Sequence, residues 1–124
     1  MQPIKVLLVD DSEEFLLTMV NFFVDNPEFP IVGWAESGAS AIRKVQELQP
    51  ELVFMDISMP GINGLEATRQ IKRLSHPPRV IMLTAFDDPE FRRASAAAGA
   101  DSFISKTELA TEAPVALERL FGTK

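Results

Sequence analysis

Five side chains that suit phosphate or metal chemistry stand at the ends of apolar segments. Asp10 and Asp11 follow the first segment, and Asp56 follows the third. Thr84 ends the fourth segment, and Lys106 follows the fifth. Each alone has a plain explanation, since acids favour turns and helix starts, threonine favours strands, and lysine is commonly a solvated charge. Together they supply three carboxylates, a hydroxyl and an ammonium, which can bind a cation and a phosphoryl group.

Three neighbouring carboxylates raise one another's pKa values unless a cation relieves the repulsion. In a site of oxygen ligands we expect Mg²⁺, held by carboxylates, water and a phosphate oxygen. His76 is the sole histidine and cysteine is absent, which gives little support to a transition-metal or thiolate site. An aspartate beside Mg²⁺ and a lysine can act as the nucleophile of phosphoryl transfer and become an acyl phosphate.

The elements that must position these groups alternate between strand and helix. Apolar segments rich in Val, Ile, Leu and Phe predict strands at residues 4–9, 31–36, 52–55, 79–84 and 102–105. Helical periodicity predicts helices after Ser12, over 39–48, over 64–74, at Pro89 behind the cap Asp88, and from near Thr111. The last start depends on Pro114, because proline is tolerated in the first turn of a helix and not in its interior.

This alternation predicts an α/β fold, a doubly wound five-stranded parallel sheet with helices on both faces. The length of 124 residues fits one domain, residues 1–124. In such a sheet, ligands bind outside the carboxyl ends of the strands. We therefore expect the acids, the threonine and the lysine to meet at one edge.

The composition limits the classes of partner that we expect this chain to bind. Apolar residues make up 46% and charged residues 24%, as in globular proteins. The net charge is −6 and the twelve Lys and Arg residues are scattered, so we expect no direct binding of nucleic acid by this chain. Its apolar runs, such as "VLLV", are too short for a membrane span, and the N-terminus has no secretory cleavage pattern. We expect a cytoplasmic protein that does not enter the membrane.

The segments "VLLVDDS", "LVFMDISMPGINGLE", "VIMLTAFDD" and "AGADSFISK" together resemble the receiver domain of two-component response regulators, over essentially the whole chain. The segments "TAFDD" and "MPGINGLEATRQI" are most similar to those of receivers in nitrate-regulator-type transcription factors, which have LuxR-like output domains. The resemblance implies a flavodoxin-like sheet with strand order 2-1-3-4-5.

The resemblance also implies a role for each site residue. Asp56 would accept the phosphoryl group, Asp11 would bind Mg²⁺ directly and Asp10 largely through water. Asp56 itself and the backbone carbonyl of Ser58 would complete the protein ligands. Lys106 would pair with Asp56 in the unmodified state and contact the phosphoryl oxygens after transfer.

Two further residues would report the phosphorylation to the surface. Thr84 would hydrogen-bond the phosphoryl group, and its movement would be coupled to Phe103, which stands at the position of the family's switch aromatic. Family members usually have proline after the lysine, whereas this chain has Thr107, so the isomer of the Lys106–Thr107 peptide bond is left open.

By resemblance the chain is a signalling protein and not an enzyme in the usual sense, although it would promote its own phosphorylation and dephosphorylation. A sensor histidine kinase would phosphorylate Asp56 in a Mg²⁺-dependent reaction. The surface around residues 88–121 would then switch and control a downstream output domain or protein. A phosphorylation-dependent homodimer is left open.

Two other functions are weighed against this one. An aspartate-based phosphohydrolase often carries a D-x-D pair, and "VDDSEE" has no acid at that spacing. A docking module that works without phosphate would keep the fold, and only a phosphorylation assay separates it from the receiver.

Overall fold

The computed structural model describes residues 2–122. Five strands are formed: β1 Val6–Val9, β2 Ile31–Ala35, β3 Leu52–Asp56, β4 Arg79–Thr84 and β5 Ser102–Ser105. Helices follow the strands in alternation: α1 Glu13–Phe23, α2 Gly38–Leu48, α3 Gly64–Lys72, α4 Pro89–Ala98 and α5 Leu109–Phe121. A short 3₁₀ turn, Lys106–Glu108, joins β5 to α5.

The strands form one parallel sheet in the order β2-β1-β3-β4-β5, which confirms the predicted architecture. Because all strands run the same way, their carboxyl ends share one edge of the sheet. The register aligns Asp56 with Leu83 and Thr84 with Ser105. The predicted site residues therefore leave neighbouring strands at the same level.

The core has two layers, one on each face of the sheet. On one face, α1 and α5 pack against side chains such as Leu8, Phe54 and Ile81. On the other face, α2, α3 and α4 cover residues such as Val53 and Met82. Covering on both sides explains why the central strands are continuous apolar runs and do not alternate with polar residues.

The helix starts follow local capping. The Ser12 hydroxyl accepts a hydrogen bond from the Phe15 backbone N–H, and the Asp88 side chain accepts one from Glu90. Gly99 ends α4 in the left-handed conformation, which glycine adopts without steric strain. None of the helices within residues 2–122 combines the length and apolarity that a membrane crossing requires.

The start of α5 differs from the prediction. The helix begins at Leu109, two residues before Thr111, and Pro114 lies inside it. Leu109 is buried together with Ala113 and Leu117 against the sheet, and this burial offsets the backbone hydrogen bond that proline cannot donate. The Lys106–Thr107 bond, which the sequence left open, is trans, as no cis peptide occurs in the described part of the chain.

Candidate metal and phosphoryl site

Three carboxylates meet at the carboxyl edge of the sheet. Asp10 follows β1, Asp56 ends the adjacent strand β3, and Asp11 is the next residue along the chain from Asp10. One oxygen from each lies within 4.8 Å of the others. Asp10 is fully buried and Asp56 is 3% exposed, whereas Asp11 faces solvent. Two acids of the cluster are thus buried at the ends of strands, and the cluster is open to solvent on the side of Asp11.

Lys106 brings the positive charge to this cluster. Its Nζ lies 2.7 Å from Asp10 Oδ2 and 3.4 Å from Asp56 Oδ1, so the ammonium is closer to Asp10 than to the predicted partner Asp56. The short contact is not directed as a hydrogen bond. Within residues 2–122, Asp10 Oδ2 is consequently a buried carboxylate oxygen without a hydrogen-bond partner, although it is ion-paired.

Asp56 is costly to ionise in this setting. Its pKa is raised from 3.8 to about 6, chiefly by burial and also by the negative charge of Asp10. The Lys106 ammonium and the Ser58 backbone N–H, which donates to Asp56 Oδ1 at 3.4 Å, act in the opposite direction. The site therefore lacks enough positive charge to balance its acids.

The residues present fit a hard divalent cation. Three carboxylates converge, one of their buried oxygens lacks a hydrogen bond, and the side of Asp11 is accessible. Mg²⁺ prefers oxygen ligands of this kind and retains several waters. Asp10, Asp11 and Asp56 would hold it, and Ser58 lies two residues beyond Asp56 in the loop at the same edge.

Thr84 stands at the same edge but its hydroxyl is occupied. The side chain is buried at the end of β4, and Oγ1 donates to the Phe86 carbonyl at 2.9 Å. The same oxygen accepts from the Phe86 N–H at 3.1 Å. In this state both hydrogen bonds of the hydroxyl therefore stabilise the loop that follows β4.

Phe103 lies on β5, two residues before the Ser105 that aligns with Thr84. Its half-buried ring is covered by Arg92 of α4, with Cζ 4.6 Å from the ring centroid. Arg92 also binds both oxygens of Asp87, at 2.8 and 3.1 Å. The hydrogen bonds from Arg92 hold the pKa of the Asp87 carboxyl below its ordinary value. The candidate switch aromatic is thus tied to the loop that follows Thr84.

Two contacts of the site were not predicted from the sequence. The Ser12 backbone N–H donates to Asp10 Oδ1 at 2.8 Å, and the Phe15 ring centroid lies 4.7 Å from Lys106 Nζ. From the sequence, Ser12 marks only the start of a helix, and no role is predicted for Phe15. Their place in the first turn after an acidic pair is the sequence signal that points to them.

Residues 6–117 match the family model of the response regulator receiver domain. The chain belongs to this family. It is 38% identical over 109 residues to the transcriptional regulatory protein LiaR of Bacillus subtilis (strain 168), a match that covers 88% of this chain and 52% of LiaR. The match confirms the resemblance on which the prediction rested.

Solved structures agree on the fold and on the kind of regulator. A LuxR-family two-component response regulator from Aurantimonas sp. SI85-9A1 is similar with a TM-score of 0.90 and 26% identity, covering 98% of this receiver and 86% of that chain. A chain of the CheX-CheY-BeF3-Mg+2 complex from Borrelia burgdorferi gives 0.89 and 26%, covering 99% and 92%. The flavodoxin-like fold and the likeness to regulators with LuxR-type output are confirmed.

The family fixes the general function. The chain is a response regulator receiver domain of a two-component system, and its relatives include transcriptional regulators. Receiver domains bind Mg²⁺ at an acidic pocket, and the cluster of Asp10, Asp11 and Asp56 is an acidic pocket of this kind. The receiver spans about half the length of the curated relatives it matches.

Proposed function

We propose that Asp56 accepts a phosphoryl group from a sensor histidine kinase and that this modification switches the surface around residues 88–121. The observation that carries the proposal is the convergence at Asp56, a buried carboxylate with two other acids and a lysine ammonium within reach. Residues 1–124 would form one receiver domain, located in the cytoplasm. Its partners would be a downstream output domain or protein and, after phosphorylation, a second copy of the chain.

In the transfer, an Asp56 carboxylate oxygen attacks phosphorus, a new O–P bond forms, and the N–P bond of the donor phosphohistidine breaks with its electrons going to the imidazole. Mg²⁺, when bound, supplies charge neutralisation for the phosphoryl oxygens. Asp10, Asp11, Asp56 and the Ser58 carbonyl would hold the ion. Asp56 is held by its strand, so little reorganisation is needed for attack.

Lys106 and Thr84 would respond to the new group. The Lys106 ammonium, now nearest Asp10, would turn to the phosphoryl oxygens, which offer charge-assisted hydrogen bonds. The Thr84 hydroxyl would leave Phe86 and donate to another phosphoryl oxygen. Losing both bonds to Phe86 frees the loop that carries Asp87, the partner of Arg92 above Phe103. This is how we expect the charge at Asp56 to reach α4 and β5.

The test is phosphorylation by acetyl phosphate with Mg²⁺, read by intact mass. We expect wild type to gain one phosphate only when Mg²⁺ is present, and Asp56→Asn to gain none. Asp25→Asn, which removes an exposed acid after α1, is the matched control and should react like wild type. A wild type that stays unmodified while another receiver reacts would contradict the proposal and favour the docking module.

A further inference from the structure

Lys106 is held by a third group besides the two acids. Its Nζ lies over the ring of Phe15, 4.7 Å from the centroid, while the lysine side chain is 18% exposed. An ammonium over an aromatic face is attracted by the ring quadrupole, and the attraction grows as water is excluded. Phe15 is itself half-buried in the first turn of α1. The ring is therefore a direct neighbour of a charged group at the reacting centre.

The contacts of Lys106 with the two acids do not by themselves hold its ammonium at one position. Its contact with Asp10 is short but poorly directed, and its contact with Asp56 is longer. The side chain is flexible along four carbons, and the following residues Thr107 and Glu108 are exposed. The two acids pull the ammonium to different points, so neither of them by itself fixes its place.

The ring and the acid are positioned by the same turn. Ser12 donates its backbone N–H to Asp10 Oδ1 at 2.8 Å, and its hydroxyl accepts the Phe15 N–H at 3.2 Å. Asp10 Oδ2 in turn pairs with Lys106, whose Nζ returns to the Phe15 ring. Asp10, Ser12, Phe15 and Lys106 thus form a closed cycle of contacts. A shift of the ring would be felt at the ammonium.

We propose that Phe15 is a positioning residue for phosphoryl transfer: its ring holds the Lys106 ammonium between Asp10 and Asp56, where the phosphoryl oxygens arrive. This inference rests on the proposed function of Asp56. The alternative is a purely structural role, since Phe15 also packs against the core between α1, α5 and the sheet. The two differ in whether an apolar, non-aromatic side chain can replace the ring.

The experiment compares Phe15→Leu and Phe15→Trp by their phosphorylation rates with acetyl phosphate at saturating Mg²⁺. Leucine keeps the apolar contact and removes the quadrupole, so we expect a rate roughly three- to tenfold lower. Tryptophan keeps the quadrupole and should restore the rate, with Phe15→Tyr as a second aromatic variant if the indole does not fit. Phe22→Leu is the matched control, because Phe22 is also half-buried on α1 but packs against Phe23. It should react like wild type.

Two further readouts separate positioning from packing. In wild type the ring current of Phe15 should shift the Lys106 ε-methylene resonances, and Phe15→Leu should abolish the shift while calorimetric Mg²⁺ affinity stays the same. In a Lys106→Ala background, Phe15→Leu should cause no further loss of rate. A Phe15→Leu rate equal to wild type, or a loss that persists without Lys106, would overturn the inference. An unreactive wild type would instead refute the proposed function.

Discussion

At the scale of single residues, Asp56 ties function to stability. Its folded-state pKa is raised from 3.8 to about 6, so between these pH values the folded chain binds more protons than the unfolded chain. The free energy of unfolding from this group therefore falls as pH rises through that window. The cost is fully present above pH 6 and amounts to at most about 3 kcal/mol.

We predict that Asp56→Asn is more stable than wild type at pH 7.5 without Mg²⁺, by about 1–3 kcal/mol, because the buried charge beside Asp10 is gone. At pH 4 the difference should shrink. Urea unfolding at both pH values measures this, with Asp25→Asn as the control that should follow wild type. If the free energy of unfolding of wild type rose relative to that of Asp56→Asn as pH increases, the predicted direction of the pH dependence would be wrong.

The acidic cluster also predicts stabilisation by Mg²⁺. An ion that binds only the folded state, present at 100 times its dissociation constant, adds about 2.7 kcal/mol to the free energy of unfolding. Asp11→Asn should weaken this gain while changing little without Mg²⁺, since Asp11 is exposed. Glu14→Gln removes another exposed acid of the same region and should keep the gain. Equal stabilisation of both variants would argue against Asp11 as a ligand.

At the scale of elements, α3 approaches β3 so closely that only glycine fits at Gly64. A Cβ there would overlap the Asp56 carbonyl oxygen. We predict that Gly64→Ala lowers the free energy of unfolding by at least about 2 kcal/mol, because backbone must move. Gly61→Ala, where space is open but φ is +75°, should cost about 1 kcal/mol. Thermal or urea unfolding ranks the two, and the reverse order would contradict the packing argument.

The helix α4 is the element we expect to move. Its outer face carries Ala96 and Ala97, and Arg92 holds it to the preceding loop through Asp87. We predict that phosphorylation speeds hydrogen exchange over residues 85–98, because Thr84 no longer binds the Phe86 N–H. The helix α2 should be unaffected. Exchange that is unchanged over residues 85–98 would mean that the charge does not reach α4.

Arg92 offers a second test of the same coupling. We expect Arg92→Gln to raise exchange in this segment before phosphorylation, because both bonds to Asp87 and the contact with Phe103 are lost. Arg93→Gln is the matched control, since Arg93 is exposed and makes only a 3.4 Å contact with Glu90. Similar exchange in the two variants would remove Arg92 from the switch.

At the scale of the whole molecule, charge decides what the receiver can bind. With a net charge of −6 it repels a phosphate backbone, whatever a longer protein of this family does with DNA. We predict no binding of a fluorescent duplex by residues 1–124 at low salt, phosphorylated or not, in an anisotropy titration. Binding that weakens with added salt would contradict this and reveal a basic surface.

Much of this receiver could be read from the order of its residues. Continuous apolar runs alternate with helical periods, and that pattern allows one architecture, a parallel sheet covered on both faces. Residues at the ends of such strands must share an edge. Asp10, Asp56, Thr84 and Lys106 could therefore be grouped from the sequence alone, and Asp88 marked the start of α4 because capping is local.

Other features depend on contacts between distant segments, and only the tertiary structure decided them. Lys106 Nζ lies nearer to Asp10 than to Asp56 and over the ring of Phe15, because the turn after β5 and the start of α1 meet at the same edge of the sheet. Thr84 is turned to Phe86 by the shape of one loop. Burial of Leu109 starts α5 early despite Pro114. Distances of this kind follow from packing across the sheet, which no local pattern encodes.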